Sequence, residues 1–281
     1  MGLLGDIEPI QAILMKPHGL LEGPSFGRDG EVVYSDVIAG GVWGCARGGV
    51  PREILPRRRG VGGILAHADG GWVIRGRSVL HVLPDGEQRE ILSGDGVRGY
   101  NDLGATPDGD LLAGVLLYRP MAGEEPRPGR LLRVGRDGAE RVLDGSVLWP
   151  NGIGVSPDGA TIYLSDYARG IVLALPARGG EAREFASAPR GSVDGLAVDA
   201  EGAVWVALGE GGAVARFLPD GIRDEVIEMP ATFVSSLSFG GADMCDVLIS
   251  TADNMIEPEL GGTLFRARSE VPGLAVAPVR V

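Results

Sequence analysis

The chain has 281 residues, of which 44% are hydrophobic, and it contains 47 glycines, 19 prolines and a formal net charge of −12. This negative charge would repel a phosphate backbone, so we expect no nucleic-acid partner. The sequence has no apolar run of 18 residues and no basic start followed by an unbroken apolar stretch, so we expect a cytoplasmic protein without a membrane segment.

Six short turn signals each precede a segment of alternating apolar residues. In chain order they lie at 27–36, 67–76, 106–115, 156–166, 199–208 and 239–251. Their acidic turn residues are Asp29, Asp69, Asp108, Asp158, Glu201 and Asp243, which are 40, 39, 50, 43 and 42 residues apart. Asp-Gly pairs at such turns supply the positive backbone angles of a tight hairpin, so these acidic residues are interpreted as structural.

A second class of turn falls between the first, at 83–91, 135–143, 176–185 and 218–226. Two hairpins in every repeat of about 40 to 45 residues are typical of a propeller blade. Apolar spacing of the helical kind is not sustained, except weakly in the first fifteen residues. The sequence therefore predicts an all-β fold: a six-bladed β-propeller with four antiparallel strands per blade, forming a single domain over residues 1–281.

Polar residues precede four of the predicted innermost strands, whose entry loops converge on the central channel. Glu22, Asn101, Asn151 and Asp194 each lie seven residues before the acidic turn residue of their repeat. Equal offsets place the four side chains at equivalent heights in the channel. Two carboxylates and two amides there favour a hard divalent cation such as Ca²⁺, Mg²⁺ or Mn²⁺, held either for catalysis or to tie the blades together.

The ordered set of motifs at these residues resembles the SMP-30, gluconolactonase and luciferin-regenerating enzyme family. It comprises "EGP", "ND" ahead of a "PDG" turn, "PNGIGVSPDGATIYLSD", "DGLAVDAEGAVWVA" and "LSFGG" followed by "VLIST", from about residue 20 to 252. The resemblance implies a six-bladed propeller that hydrolyses lactones with one divalent cation, Ca²⁺ first, with Mg²⁺, Mn²⁺ or Zn²⁺ as alternatives. It further implies cation ligation by Glu22, Asn151 and Asp194, with Asp194 also the general base and Asn101 close to cation and substrate.

The sequence departs from the family at a position that contacts sugar hydroxyls. The family commonly has Arg two residues before the Asn-Asp pair, where this chain has Gly99, with Arg98 one step earlier and Tyr100 next to the pair. This shift favours a bulkier or less polar lactone over a simple sugar lactone. Arg98 and Tyr100 are nevertheless predicted to bind substrate, while Asp102 is expected to support its loop.

Two aromatic residues complete the predicted substrate site. Trp149 lies two residues before Asn151, and Tyr118 lies in the long, proline-rich segment 116–129 that explains the spacing of 50 residues. This segment is interpreted either as a lid over the channel or as a surface loop.

Three functions compete for the predicted site. The first is a lactone hydrolase in which the cation polarises the carbonyl group and Asp194 acts as general base. The alternatives are a non-catalytic propeller that binds a small ligand or a protein, and a lyase or isomerase in which Asp194 removes a proton beside the cation. We expect a small lactone as partner and a monomer or weak homo-oligomer.

Overall fold

The computed structural model describes residues 2–14, 18–27, 30–58, 60–138, 140–144, 146–252, 254 and 258–281. The predicted turn residue Asp29 lies outside these residues. A short strand β1 (Glu8–Pro9) and a one-turn helix α1 (Gln11–Leu14) come first, and two 3₁₀ turns occupy Pro120–Ala122 and Tyr167–Arg169. None of the helices in this described part is long and apolar enough to span a membrane.

All other elements are strands, and they form six four-stranded antiparallel sheets. Blades one to three contain β2 (Leu21–Phe26), β3 (Val32–Asp36), β4 (Val42–Cys45), β5 (Arg52–Leu55), β6 (Ile64–Ala66), β7 (Trp72–Ile74), β8 (Val79–Val82), β9 (Gln88–Leu92), β10 (Gly99–Ala105), β11 (Leu111–Leu116), β12 (Arg130–Val134) and β13 (Glu140–Asp144). Blades four to six contain β14 (Pro150–Val155), β15 (Thr161–Asp166), β16 (Ile171–Pro176), β17 (Arg183–Ser187), β18 (Leu196–Val198), β19 (Val204–Ala207), β20 (Ala213–Phe217), β21 (Arg223–Glu228), β22 (Val234–Gly240), β23 (Asp246–Thr251) and β24 (Leu264–Arg268). The predicted six-bladed β-propeller with four strands per blade is confirmed.

The two classes of turn occupy the predicted places within a blade. Asp108 and Asp158 lie between the first and second strands of blades three and four, and the glycines that follow them have positive φ angles, 89° at Gly109 and 70° at Gly159. The second class joins the third and fourth strands, as residues 83–87 do between β8 and β9. Turn chemistry therefore sets the length of each strand.

Blade six is built from both ends of the sequence. Its sheet has the order β1-β24-β23-β22, and the outermost strand β1 pairs antiparallel with β24 through Glu8 opposite Arg266 and Pro9 opposite Phe265. The ring of blades is therefore closed by hydrogen bonds between distant segments of the chain.

The hydrophobic core is a series of layers between neighbouring blades. One layer packs Tyr163 and Val172 of blade four against Val204 and Val206 of blade five. The middle strands are buried on both faces, as all four residues of β19 are, whereas the outermost strand β21 is exposed or half-buried along its length. Burial on both faces explains why the inner strands read as nearly continuous apolar runs.

Residues 270–281, called the strap here, cross the face of the propeller where the innermost strands end. The amide of Leu274 donates to the carbonyl of Val198 at 2.9 Å, that of Val279 to Ala66 at 2.9 Å, and that of Arg280 to Gly109 at 2.8 Å. The strap thus bonds to blades five, two and three in turn.

Candidate active site in the central channel

The four polar residues Glu22, Asn101, Asn151 and Asp194 lie at one end of the channel. The first strands of adjacent blades contact one another around the ring. Glu22 is the second residue of β2, Asn101 the third of β10 and Asn151 the second of β14, while Asp194 precedes β18 by two residues. All four positions are therefore at the start of innermost strands, on the face opposite the strap.

A β-bulge occurs at each of three of these positions. The register between first and second strands shifts between Glu22 and Ser25 in blade one, between Tyr100 and Leu103 in blade three, and between Pro150 and Ile153 in blade four. A bulge inserts an extra residue and re-aims the side chains beside it. The bulges therefore allow neighbouring residues such as Asn101 and Asp102 to depart from strict alternation.

Hydrogen bonds link the blades at the level of these residues. The side-chain amide of Asn101 donates to the carbonyl of Pro150 at 3.0 Å, and the amide of Gly152 donates to the carbonyl of Asp194 at 3.2 Å. The hydroxyl of Ser235 donates to the carbonyl of Leu21 at 2.5 Å, which joins blade six to blade one. These bonds hold the site residues on a closed, rigid ring.

Glu22, Asp102 and Asp194 lie close enough at this end of the channel for their charges to act on one another. Burial raises the pKa of Asp194 well above its usual range, and the charges of Glu22 and Asp102 raise it further, against a hydrogen bond from Asn151 and the charge of Arg75. Burial also raises the pKa of Glu22, although Arg75 opposes the change. The pKa of Asp102 is raised to about 7, chiefly by burial. The three carboxylates therefore favour the binding of a proton or of a cation.

Arg75 is the central residue that the sequence analysis missed. It follows β7 directly, its side chain is 7% exposed, and its Nη2 atom donates to Oε2 of Glu22. The other site residues precede the innermost strands of their blades, whereas Arg75 follows β7, the second strand of blade two. A signal was available, because "WVIRG" places one arginine at the end of an otherwise apolar strand.

Asp102 belongs with Glu22, Arg75 and Asp194 to a group of charged side chains that we call the central cluster, and its role is not limited to its loop. Its carboxylate accepts from the amide of Leu103 at 2.8 Å and lies against the backbone of Gly63 in blade two. The charges of Arg75 and Glu22 both act on it.

The donor chemistry fits a divalent cation. Glu22, Asn151 and Asp194 offer carboxylate and amide oxygens, which hard cations prefer. The raised pKa values of Glu22 and Asp194 show that both carboxylates are costly to ionise without a positive partner. In the described part of the chain, no three His, Cys, Asp or Glu side chains form a metal-binding group by themselves. The predicted set has only two carboxylates, so an amide would have to complete it.

Trp149 and Tyr118 line a cavity of about 540 Å³ near Asp194, whose charge acts on Tyr167 in the cavity wall. Glu22, Asn151 and Asp194 are not among the residues that line it. The ring centroids of Trp149 and Tyr167 are 4.7 Å apart, and the hydroxyl of Tyr167 donates to Glu210 at 2.9 Å. Burial, this hydrogen bond and the charge of Asp194 raise the pKa of Tyr167. The segment 116–129 contributes several residues to the wall, so it lies over this cavity.

Arg98 and Tyr100 are not brought into the central cluster. Tyr100 is 2% exposed and packs with Val73 and Leu92 in the core between blades two and three. Arg98 is exposed, and its charge acts on Glu124 of the segment 116–129. Successive side chains of a strand point to opposite faces, so Tyr100 points away from the face to which Asn101 points.

A second cavity of about 800 Å³ continues down the channel below the carboxylates. The innermost strands of all six blades line it, Asp102 lies at its upper end, and strap residues 274–277 contribute to its wall.

Comparison with known proteins gives concordant results. Residues 20–253 match the family described as the SMP-30/Gluconolactonase/LRE-like region. The chain is 30% identical to the 6-deoxy-6-sulfogluconolactonase of Pseudomonas putida, covering 95% of this chain and 97% of that one, and 32% identical to the pentonolactonase XacC of Haloferax volcanii over 68% and 64%. The calcium-binding protein regucalcin of Agrobacterium tumefaciens superposes with a TM-score of 0.82 at 24% identity, over 96% of this chain and 97% of that one.

Proposed function

The chain belongs to the SMP-30/Gluconolactonase/LRE-like family, and from this premise we propose that it hydrolyses a sugar lactone with the help of one divalent cation. Relatives named as lactonases support the reaction, and a neighbouring fold named as a calcium-binding protein supports Ca²⁺ as the first choice, ahead of Mg²⁺, Mn²⁺ and Zn²⁺. The observation that carries the proposal is the mutual influence of Glu22, Asp102 and Asp194 at one end of the channel. Carboxylates with strongly raised pKa values cluster at functional sites, which supports a chemical role for this end of the channel.

Glu22, Asn151 and Asp194 would hold the cation in this proposal. When bound, the cation supplies Lewis-acid polarisation of the lactone carbonyl group. Asn151 hydrogen-bonds to Asp194, which fixes the two side chains relative to each other before any ligand arrives.

Asp194 acts as the general base in this proposal. Asp194 is 4% exposed, and burial together with the charges of Glu22 and Asp102 favours uptake of a proton by its carboxylate. It takes the proton of the attacking water as the water oxygen bonds to the lactone carbon, and the ring C–O bond then breaks. Asp194 gives this proton to the leaving ring oxygen, which completes the hydroxy acid and restores the Asp194 carboxylate.

The lactone ring would lie in the cavity lined by Trp149, Tyr118 and Tyr167. Aromatic walls bind the carbon face of a sugar ring, and the hydroxyl of Tyr167 and the carboxylate of Glu210 offer polar partners for hydroxyl groups. Asn101, whose side-chain amide donates to the carbonyl of Pro150, would contact the substrate in this proposal.

The test is a panel of sugar, aromatic and aliphatic lactones assayed by acid release, each with Ca²⁺, Mg²⁺, Mn²⁺ or Zn²⁺ and after chelation. We expect hydrolysis of a sugar lactone that needs a cation, and a loss of roughly a thousandfold in kcat for Asp194→Asn with an unchanged circular dichroism spectrum. Asp69→Asn is the matched control, because this turn carboxylate is 88% exposed. Activity of Asp194→Asn within a few-fold of wild type would refute Asp194 as the base.

A further inference from the structure

The positively charged side chain of Arg75 contacts Glu22, one of the proposed ligands of the metal ion. Its Nη2 atom donates to Oε2 of Glu22, and its Nη1 atom donates to the carbonyl of Gly60 at 2.8 Å. Its Nε atom is buried and has no hydrogen-bond partner among the residues that the structure describes. The guanidinium group is therefore held from two sides and is directed at Glu22.

The backbone of blade two leaves room for this guanidinium group. A Cβ atom added at Gly62 would overlap Cζ, Nε and Nη2 of Arg75. The φ angle of Gly62 lies outside the left-handed region, so backbone conformation does not require glycine there. The absence of a side chain at Gly62 instead provides the space in which Arg75 lies.

The guanidinium group of Arg75 lies near three carboxylates and lowers the pKa of each against the larger effect of burial. The charge of Arg75 acts on Glu22, Asp102 and Asp194, and Glu22 is also a predicted ligand of the cation. A divalent cation that approaches Glu22 therefore meets a positive charge already in contact with one of the two carboxylate oxygens. Like charges a few ångströms apart in a partly buried site repel strongly.

We infer that Arg75 is a built-in counter-ion that competes with the divalent cation for Glu22, so that the protein binds its cation weakly and exchanges it readily. This inference rests on the proposed cation site. In the cation-free protein Arg75 balances part of the carboxylate charge and keeps the site assembled. On cation binding its guanidinium group releases Oε2 of Glu22 and pairs with Asp102, the one of these three carboxylates that is not a proposed ligand of the cation.

The test is the dissociation constant for Ca²⁺ and for Mn²⁺, measured by isothermal titration calorimetry on the purified, chelator-treated protein. We expect Arg75→Gln to bind either ion at least tenfold more tightly than wild type, because the variant removes a positive charge and frees Oε2 of Glu22. Arg75→Lys keeps the charge and should stay within threefold of wild type.

Arg77→Gln is the matched control. Arg77 is exposed and lies two residues further along the chain, so its substitution makes the same change in net charge outside the site. We expect its affinity for both ions to stay within twofold of wild type, which would exclude an effect of overall charge.

Gly62→Ala provides a second test that retains the arginine. The added methyl group must displace the guanidinium group, which sits at the end of a flexible side chain, so we expect tighter cation binding with little loss of fold. Thermal unfolding gives an independent readout. A saturating concentration of Ca²⁺ should raise the Tm of Arg75→Gln more than that of wild type.

The outcomes separate the two proposals. If Arg75→Gln and Gly62→Ala bind the ions with the affinity of wild type or more weakly, competition by Arg75 is wrong, while the cation site stands. If neither wild type nor Arg75→Gln binds any of the ions, the cation site itself is wrong and the competition falls with it. Loss of binding in Asp194→Asn would place the titrated site at the predicted ligands.

Discussion

The carboxylate of Asp102 in blade three lies directly against the backbone of Gly63 in blade two. A Cβ atom at position 63 would overlap Oδ1 of Asp102 and would lie 3.0 Å from the amide nitrogen of Leu103. The position of Asp102 in the central cluster therefore depends on the close approach of the innermost strands of blades two and three.

Gly63→Ala is expected to disturb the cluster through this contact. The added methyl group must push Asp102 and the start of the next innermost strand outward, which should destabilise the protein by about 1 to 3 kcal/mol. We expect kcat/KM for lactone hydrolysis to fall at least tenfold, measured in the assay described above together with urea unfolding.

Gly99→Ala is the control for this substitution, because its added Cβ atom would lie 3.6 Å from its nearest neighbour, the carbonyl oxygen of Gly76. That variant should keep both activity and stability. Equal behaviour of the two alanine variants would show that the approach of blades two and three at this point is not needed.

Asp102 should give stability an unusual pH dependence in the cation-free protein. An aspartate has a pKa of about 3.9 in an unfolded chain, whereas burial raises the pKa of Asp102 to about 7 in the folded state. Between these values the folded protein binds more protons than the unfolded chain, so the free energy of unfolding falls as pH rises. Asp102→Asn should remove this loss and raise the free energy of unfolding at pH 8 by about 2 to 4 kcal/mol.

Urea unfolding with a chelator at pH 4, 6 and 8 measures this effect. The gain from Asp102→Asn should be smallest at pH 4 and should grow toward pH 8. A gain of the same size at all three pH values would show that Asp102 does not titrate in this range. Asn can still accept the hydrogen bond from the amide of Leu103, so local structure should be retained.

Trp149 should affect substrate binding more than turnover. Its ring lines the cavity next to Asp194, and we expect Trp149→Phe to raise KM about three- to tenfold while kcat changes less than twofold. Trp72→Phe is the control, because Trp72 lines the other cavity, below the carboxylates. Unchanged kinetics for Trp149→Phe, or a larger KM effect from Trp72→Phe, would place the substrate elsewhere in the channel.

The fold could be predicted from the sequence because turn chemistry is local and repeats along the chain. Asp108 and Asp158 identify hairpins without knowledge of any contact, and their spacing gives the size of a blade. The strap could not be predicted in this way. Its hydrogen bonds are to Val198, Ala66 and Gly109, which lie in three different blades and are far from the strap in sequence.

The site was predictable only where it repeats. Glu22, Asn151 and Asp194 share one offset from their turns, so the sequence places them at one end of the channel. Arg75 breaks that pattern, because it follows a second strand and reaches Glu22 across the boundary between two blades. Tyr100 was predicted to bind substrate because it is next to Asn101 in the sequence. Successive residues of a strand point to opposite faces, so its ring lies in the core instead.

The pairing of β1 with β24 can form only after nearly the whole chain has been synthesised. Glu8 and Arg266 are opposite each other in one sheet although 258 residues separate them in the chain. Contacts of such long range form slowly, and strand edges that wait for a partner can pair with other chains. We therefore expect the edge of β24 to be open to aggregation until β1 has paired with it.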